Sequence, residues 1–191
     1  MIGGYQKVIA IAASTGGVEA LEVVFQSFPA KIPPVLLVLH MPQGFTRLYS
    51  VRLNGKMPFS VKEAQTGDLI LPNQVLIAAA GKHMKVVNQQ GKFAVDCFIG
   101  PKVQHVIPSA DVLFESVANV FHRNAVGVIL TGMGADGAEG LLMMRNSGAR
   151  TVGQDKSTSA VYGMPKVAME MGSVEYQLPL DKIADKILSL V

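Results

Sequence analysis

A short apolar run that stops at two hydroxyl residues and two glycines is the feature that most constrains this chain. The run is VIAIAA, residues 8–13, and Ser14-Thr15-Gly16-Gly17 follows it directly. An apolar segment with helical spacing comes next, so the sequence predicts a buried strand, a tight turn and a helix start. The serine then lies at the carboxyl end of a strand, beside N–H groups that the helix leaves unpaired. In an open α/β sheet, this is the end where ligands bind.

The alternation of apolar runs and helical spacing continues along the chain and predicts the fold class. Further strands are predicted at residues 35–39, 125–130, 150–153 and 174–178. Segments with helical spacing follow these runs, and we expect Asp181 to cap the final helix. Strands that alternate with helices indicate an α/β fold, here doubly wound around a mostly parallel sheet with helices on its flanks.

The middle of the chain departs from this alternation. Shorter strands are predicted at residues 61–64 and 75–79, before two further runs at 84–87 and 93–96. Residues 88–91 lie between the latter two runs, which is typical of a β-hairpin with a four-residue loop. We therefore expect a small antiparallel hairpin as an appendage to the parallel sheet.

Length and composition limit the possible functions. The 191 residues, 49% of them apolar, predict a single domain over residues 1–191. The net charge of +3 comes without a run of Lys or Arg, which argues against nucleic-acid binding. No stretch has the roughly 18 consecutive apolar residues that membrane insertion of a helix needs. Cys97 is the only cysteine, so a reducing, cytoplasmic compartment fits, and no Cys/His spacing suggests zinc.

Three predicted strands are followed by side chains that can act together: Ser14, His40 and Asp136. The carboxyl ends of parallel strands lie along one edge of a sheet, so these residues can meet there. A histidine can take the proton of a serine hydroxyl, while a carboxylate orients the imidazole and stabilises its charged form. The pattern predicts a serine nucleophile in a catalytic triad. The order serine, histidine, aspartate differs from that of α/β-hydrolases, but geometry defines a triad.

Plainer interpretations exist for each of these residues. Ser14 or Thr15 can simply cap the helix that follows. His40 can be structural or solvated, and Asp136 can open a capping box at the start of its own helix. For His83, a solvated loop position is favoured over a place in the cleft.

The loop around Asp136 also supports a competing function. Gly132, Gly134 and Gly137 match G-x-G-x-x-G after a strand and before a helix. Asp155 follows about 20 residues later, where a ribose-binding acid lies in dinucleotide-binding proteins. Against this, a carboxylate in the turn would oppose a bound pyrophosphate. The residues alone leave three options open: a hydrolase, a dinucleotide- or phosphate-binding Rossmann-like module, or neither.

Six stretches spread over nearly the whole chain resemble one family and occur in the family's order. They are IAASTGGVEAL (11–21), HMPQGFT (40–46), EAQTGD (63–68), PSADVLFESVA (108–118), GVILTGMGADGAEGL (127–141) and VYGMPKVAMEMG (161–172). The set resembles the protein-glutamate methylesterases of bacterial chemotaxis, the CheB family. Each stretch is weak evidence alone, but the combination is specific.

This resemblance implies a cytoplasmic hydrolase of signal transduction. It implies hydrolysis of glutamate γ-methyl esters on the cytoplasmic helices of methylated chemoreceptors, with release of methanol, and deamidation of certain receptor glutamines. The family's catalytic residues fall on Ser14, His40 and Asp136, and no cofactor or metal is implied. We expect the N–H groups of Met133 and Thr15 to hold the oxyanion, and Thr15 to help orient His40.

The chain departs from the family pattern in several ways. It begins at its first strand, so we expect no receiver domain within it, although a separate phosphorylated receiver domain is a candidate partner. Leu39 stands where the family commonly has Gln, and Ile107 where it commonly has Arg. Loss of that arginine affects substrate contacts, for which Lys102 or His105 can substitute. If neither substitutes, a different methylated protein is the expected target. Independently of these departures, a receptor-binding scaffold without chemistry is a further hypothesis.

Overall fold

The computed structural model describes residues 7–89 and 91–191, and in these ranges the chain forms nine strands and six α-helices. The strands are β1 (Val8–Ala13), β2 (Val35–Leu39), β3 (Ser60–Glu63), β4 (Gln74–Ile77), β5 (His83–Gln89), β6 (Lys92–Phe98), β7 (Ala125–Ile129), β8 (Arg150–Gln154) and β9 (Tyr176–Leu178). The helices are α1 (Gly17–Gln26), α2 (Phe45–Asn54), α3 (Ala110–Phe121), α4 (Ala138–Asn146), α5 (Met164–Glu170) and α6 (Leu180–Leu190). In the same ranges, no helix combines the length and apolar character needed to cross a membrane.

Seven strands form one parallel sheet in the order β3-β4-β2-β1-β7-β8-β9. The first strand lies near its centre, where Ala13 pairs with Leu39 of β2 and Ala12 with Ile129 of β7. The chain builds outward from β1 through β2 on one side and later from β7 on the other. The topological switch point therefore lies between β1 and β7, where the carboxyl ends of the strands form a crevice. The predicted doubly wound α/β fold is confirmed.

Helices cover both faces of the sheet, which explains why its central strands are apolar along their whole length. Every residue of β1, β2 and β7 is buried. Alternate side chains of β1 point to opposite faces. Ile9 and Ile11 join the core beneath α1, α2 and α6, whereas Ala10 and Ala12 join the core beneath α3, α4 and α5. The sheet is therefore a rigid platform for the polar residues that follow its strands.

Strands β5 and β6 form the predicted antiparallel hairpin, separate from the parallel sheet. Their ladder reaches the pair Gln89–Lys92, so the predicted four-residue loop over 88–91 is too long, and residue 90 lies outside the described residues. Val86 and Val95 bury the inner face of the hairpin in the core that α3 shares. The hairpin thus places the start of β5 next to α3.

Two predicted helix caps are wrong. The N-cap of α1 is Gly16, with φ +77° and no side-chain hydrogen bond, rather than Ser14 or Thr15. A Cβ atom on Gly16 would lie 2.5 Å from the Cβ of Ala160, so this turn requires glycine. Asp181 lies inside the first turn of α6 instead of capping it, where its charge still favours the helix dipole.

Candidate active site

Ser14 and His40 follow directly after two neighbouring strands, β1 and β2. The last residues in register are Ala13 and Leu39, and the N–H of His40 donates to the carbonyl of Ala13 over 3.1 Å. Because neighbouring strands lie about 4.8 Å apart, Ser14 and His40 lie side by side at the carboxyl edge of the sheet. On its other side, the N–H of Ser14 donates to the carbonyl of Thr131, after β7, over 3.0 Å.

The imidazole of His40 forms a hydrogen bond with the carboxylate of Asp136. The distance from Nε2 to Oδ2 is 2.8 Å. An ionised carboxylate can only accept, so Nε2 carries the shared proton and Nδ1 keeps a free lone pair. The His40 side chain is 13% exposed, so a substrate can reach it. The nitrogen that can act as a general base is therefore Nδ1.

The N-terminus of α3 supplies the remaining donors to the carboxylate of Asp136. The hydroxyl of Ser109 donates to Oδ1 over 2.5 Å, and the N–H of Ala110 donates to Oδ2 over 2.6 Å. The N–H of Asp111 approaches Oδ1 at 3.3 Å. The two N–H groups are among those that a helix leaves unpaired at its start, and the helix dipole there favours an anion.

These contacts keep Asp136 ionised although its side chain is only 3% exposed. Burial alone would raise the pKa of this carboxyl. The hydrogen bonds from His40, Ser109 and Ala110 outweigh burial and hold the pKa of Asp136 below its usual 3.8. At neutral pH the carboxylate can therefore orient the imidazole of His40 and stabilise its charged form.

The contacts of Asp136 also bear on two alternative interpretations. The capping box is wrong, because the N-cap of α4 is Gly137, at φ +90°, and it receives no side-chain hydrogen bond. The N–H of Gly132 is bonded to Val161, and its carbonyl accepts from Met164 over 2.8 Å. Protein contacts thus occupy both backbone groups of Gly132, and the buried carboxylate of Asp136 lies in the same loop, which disfavours a dinucleotide phosphate in this turn.

Met133 and Thr15, the residues expected to hold an oxyanion, lie on the two loops next to Ser14. Gly132 packs across Ser14, because a Cβ atom at Gly132 would lie 2.7 Å from the Cβ of Ser14. Among the described residues, the N–H groups of Met133 and Thr15 donate to no protein acceptor. Both N–H groups are therefore available to a ligand. The predicted hydrogen bond between the Thr15 side chain and His40 is not made within the described part of the chain.

A cleft of about 320 Å³ opens beside His40. It is lined by His40, Met41, Pro42, Lys102, His105, Val106 and Ile107. Lys102 and His105 are exposed at this cleft, on the segment that leads to α3. The cleft thus places two basic side chains and an apolar wall next to the imidazole.

Sequence reasoning missed the contacts of Ser109 and His83. Ser109 lies directly before α3, where a serine normally caps the helix, yet it makes no capping bond to α3, and its hydroxyl donates to Asp136. His83 is 1% exposed rather than solvated. Its Nδ1 accepts from the N–H of Ser109, and its Nε2 donates to the carbonyl of Pro101. Ser109 and Asp136 are 27 positions apart, and no motif links them.

Other reactive groups in the described residues offer little chemistry. Burial raises the pKa of the Cys97 thiol to about 11, so it is protonated at neutral pH and a poor nucleophile. Within residues 7–89 and 91–191, no group of three or more His, Cys, Asp and Glu side chains could hold a metal ion. The polar residues at the switch point are therefore the strongest candidates for an active site.

The fold and the polar residues at the carboxyl edge of the sheet together define the class of protein. It is a doubly wound α/β protein with a serine beside a histidine–aspartate pair at the switch point of its sheet. Residues 9–187 match the family model described as CheB methylesterase. The chain belongs to the CheB methylesterase family.

Similar proteins agree with this assignment. A "Protein-glutamate methylesterase/protein-glutamine glutaminase" of Syntrophotalea carbinolica is 52% identical over 97% of this chain and 52% of its own length. One of the same name from Agrobacterium fabrum is 50% identical over 97% of this chain and 53% of its own. The chain thus spans about half the length of these relatives. The crystal structure of the Thermotoga maritima CheB methylesterase catalytic domain matches with a TM-score of 0.95 at 35% identity, covering 100% of both chains.

Proposed function

We propose that this chain is a serine hydrolase that removes methyl groups from glutamate γ-methyl esters of chemoreceptors. The hydrogen bond between His40 and Asp136 beside Ser14 carries the proposal. The names of the relatives, which match nearly all of this chain, give the substrate class and add deamidation of glutamine side chains.

In the first half of the proposed reaction, Ser14 Oγ attacks the carbonyl carbon of the methyl ester. Nδ1 of His40 takes the hydroxyl proton, while Nε2–H continues to donate to Asp136. The ester carbonyl oxygen becomes an oxyanion, and the N–H groups of Met133 and Thr15 are available to hold it. One such donor typically contributes about 3–4 kcal/mol to the transition state.

Collapse of the tetrahedral intermediate breaks the bond to the methoxy group. The imidazolium of His40 gives its Nδ1 proton to that oxygen, and methanol leaves. Water then attacks the acyl-enzyme, with Nδ1 again as the base, and the products are the glutamate side chain and the original Ser14 hydroxyl. A glutamine side chain would follow the same course and release ammonia.

The cleft beside His40 is suited to segments of receptor helices that carry acidic residues. Lys102 and His105 can contact carboxylates next to the methylated glutamate, in place of an arginine at position 107, where this chain has Ile107. A receptor's cytoplasmic helices would require the protein to act in the cytoplasm. Control by a phosphorylated receiver domain and a single-domain organisation over residues 1–191 stay predictions.

The test is methanol release from a methylated receptor fragment by Ser14→Ala. Without its nucleophile the variant should lose about 10³-fold or more in kcat. Ser189→Ala, at an exposed serine near the end of α6, is the matched control and should retain wild-type activity. A folded Ser14→Ala variant with full activity would refute the proposal and favour a scaffold without chemistry.

A further inference from the structure

The proposed reaction gives no role to His83, a buried histidine. A single residue, Ser109, connects it to the carboxylate of Asp136. His83, at the start of β5, is 1% exposed. Its Nδ1 lies 3.2 Å from the backbone nitrogen of Ser109, and its Nε2 lies 2.9 Å from the carbonyl oxygen of Pro101. A backbone N–H can only donate and a carbonyl can only accept. These partners therefore fix His83 as the neutral form with its proton on Nε2.

Ser109 connects this histidine to the site. Its backbone N–H is held by His83, and its hydroxyl donates to Oδ1 of Asp136 over 2.5 Å. The side chain is fully buried, so water cannot replace either bond without entering the core. The next residue, Ala110, donates its N–H to Oδ2 of the same carboxylate over 2.6 Å. The position of Ser109 thus sets where two donors meet Asp136.

We propose that His83 and Ser109 are positioning residues of the esterase: Ser109 holds the Asp136 carboxylate toward His40, and His83 fixes Ser109 through its Nδ1. This inference rests on the proposed function. His83 transfers no proton and touches no substrate. Its role is to accept one N–H so that the first turn of α3 presents its donors to Asp136 in a single geometry.

Two amide substitutions of similar size separate the two bonds of His83. In His83→Asn, the amide oxygen can occupy the place of Nδ1 and accept from Ser109, while the bond to Pro101 is lost. In His83→Gln, the longer amide reaches the place of Nε2 and can donate to Pro101, while the acceptor for Ser109 is lost. The proposal expects His83→Asn to keep kcat within about threefold. His83→Gln should lose about 10-fold in kcat with little change in KM.

Ser109→Ala tests the other half of the pair and leaves the backbone bond to His83 in place. It removes a donor to a charged group, which should lower kcat by about 10- to 100-fold. In Ser109→Ala and His83→Gln, the acidic limb of the kcat–pH profile should move to higher pH, because the donors that keep Asp136 ionised are reduced by one in the first variant and displaced in the second. In His83→Asn the limb should stay at its wild-type position.

The outcomes separate positioning from packing. The role of His83 is overturned if both His83 variants lose kcat equally, in proportion to their drop in melting temperature, and the acidic limb stays in place. Wild-type kcat in His83→Gln overturns it as well. If the His83 variants do not fold, Ser109→Ala decides: lowered kcat with a displaced limb supports the pair, and unchanged values overturn it. The Ser14→Ala variant is assayed in parallel with these variants. If that variant keeps full activity, the esterase proposal itself fails, whereas its inactivity confines any failure to the positioning pair.

Discussion

Asp136→Asn removes the charge beside His40 while keeping the shape of the side chain, and the surrounding donors determine which way the new amide turns. If its NH2 group took the place of Oδ2, it would face the N–H of Ala110 and force His40 into the wrong tautomer. If it took the place of Oδ1, the Ser109 hydroxyl could rotate and accept from it. Only the 3.3 Å contact with the N–H of Asp111 would then be lost. The second orientation is favoured, and His40 keeps Nδ1 as its free base.

The expected loss in Asp136→Asn therefore comes from charge rather than from the tautomer. Two unit charges about 4 Å apart at an effective dielectric constant of 20 attract by about 4 kcal/mol, which bounds the stabilisation of imidazolium that is lost. Each 1.36 kcal/mol corresponds to about tenfold in rate, so kcat should fall by about 10²- to 10³-fold. An aspartate-to-asparagine change that imposes the wrong tautomer costs about 10⁴-fold in a serine protease triad.

The assay is methanol release from a methylated receptor fragment, together with ¹⁵N NMR of the histidine rings to identify the tautomer of His40. Asp181→Asn, at an exposed position in the first turn of α6, is the matched control and should leave kcat unchanged. A loss in Asp136→Asn of less than tenfold would refute the role of the charge. A loss of about 10⁴-fold with the proton on Nδ1 would refute the orientation argument.

Two further predictions concern stability. Burial raises the pKa of Asp111 from 3.8 to about 6, so this group ionises first in the unfolded chain, and its contribution to the free energy of unfolding should slope downward as pH rises from about 4 to 6, by up to about 3 kcal/mol. Asp111→Asn should abolish this slope in urea titrations at several pH values, and an unchanged slope would contradict the assignment. Gly16→Ala should destabilise by about 2–4 kcal/mol, because it adds a clash to a left-handed backbone. Gly44→Ala, at φ +84° with nothing within 4 Å, should show the backbone part alone, and equal melting temperatures of the two variants would contradict the clash.

Much of the fold could be predicted because its central strands carry the signal locally. The runs at residues 8–13 and 35–39 are buried on both faces, so every position is apolar and the strand boundaries are sharp. The final strand was harder: residues 174–178 were predicted, and β9 is Tyr176–Leu178. Val174 is apolar because it packs on Gly153, not because it belongs to the ladder. Apolar character alone does not distinguish these two causes.

The candidate site was predictable only where it depends on strand ends. Ser14, His40 and Asp136 could be proposed because the carboxyl ends of parallel strands share one edge. The partners at the start of α3 that donate to Asp136 could not be predicted, because they belong to another helix. A serine before a helix normally caps that helix, and the same residue type at Ser109 instead donates to a distant carboxylate. His83 was misjudged because the hairpin, which the sequence predicts, does not reveal what its first residue packs against.

The start of α3 also explains why Asp136, rather than its buried neighbour Asp111, carries the charge that His40 needs. The carboxylate of Asp136 accepts from four groups, whereas Asp111 accepts the N–H of Gly140 at Oδ1 and its buried Oδ2 has no partner among the described residues. Burial and the nearby charge of Asp136 raise the pKa of Asp111. As pH falls below about 6, Asp111 therefore takes up a proton first, which removes a like charge from beside Asp136 and keeps that carboxylate ionised to lower pH. Protonation of Asp111 thus helps to keep Asp136 ionised.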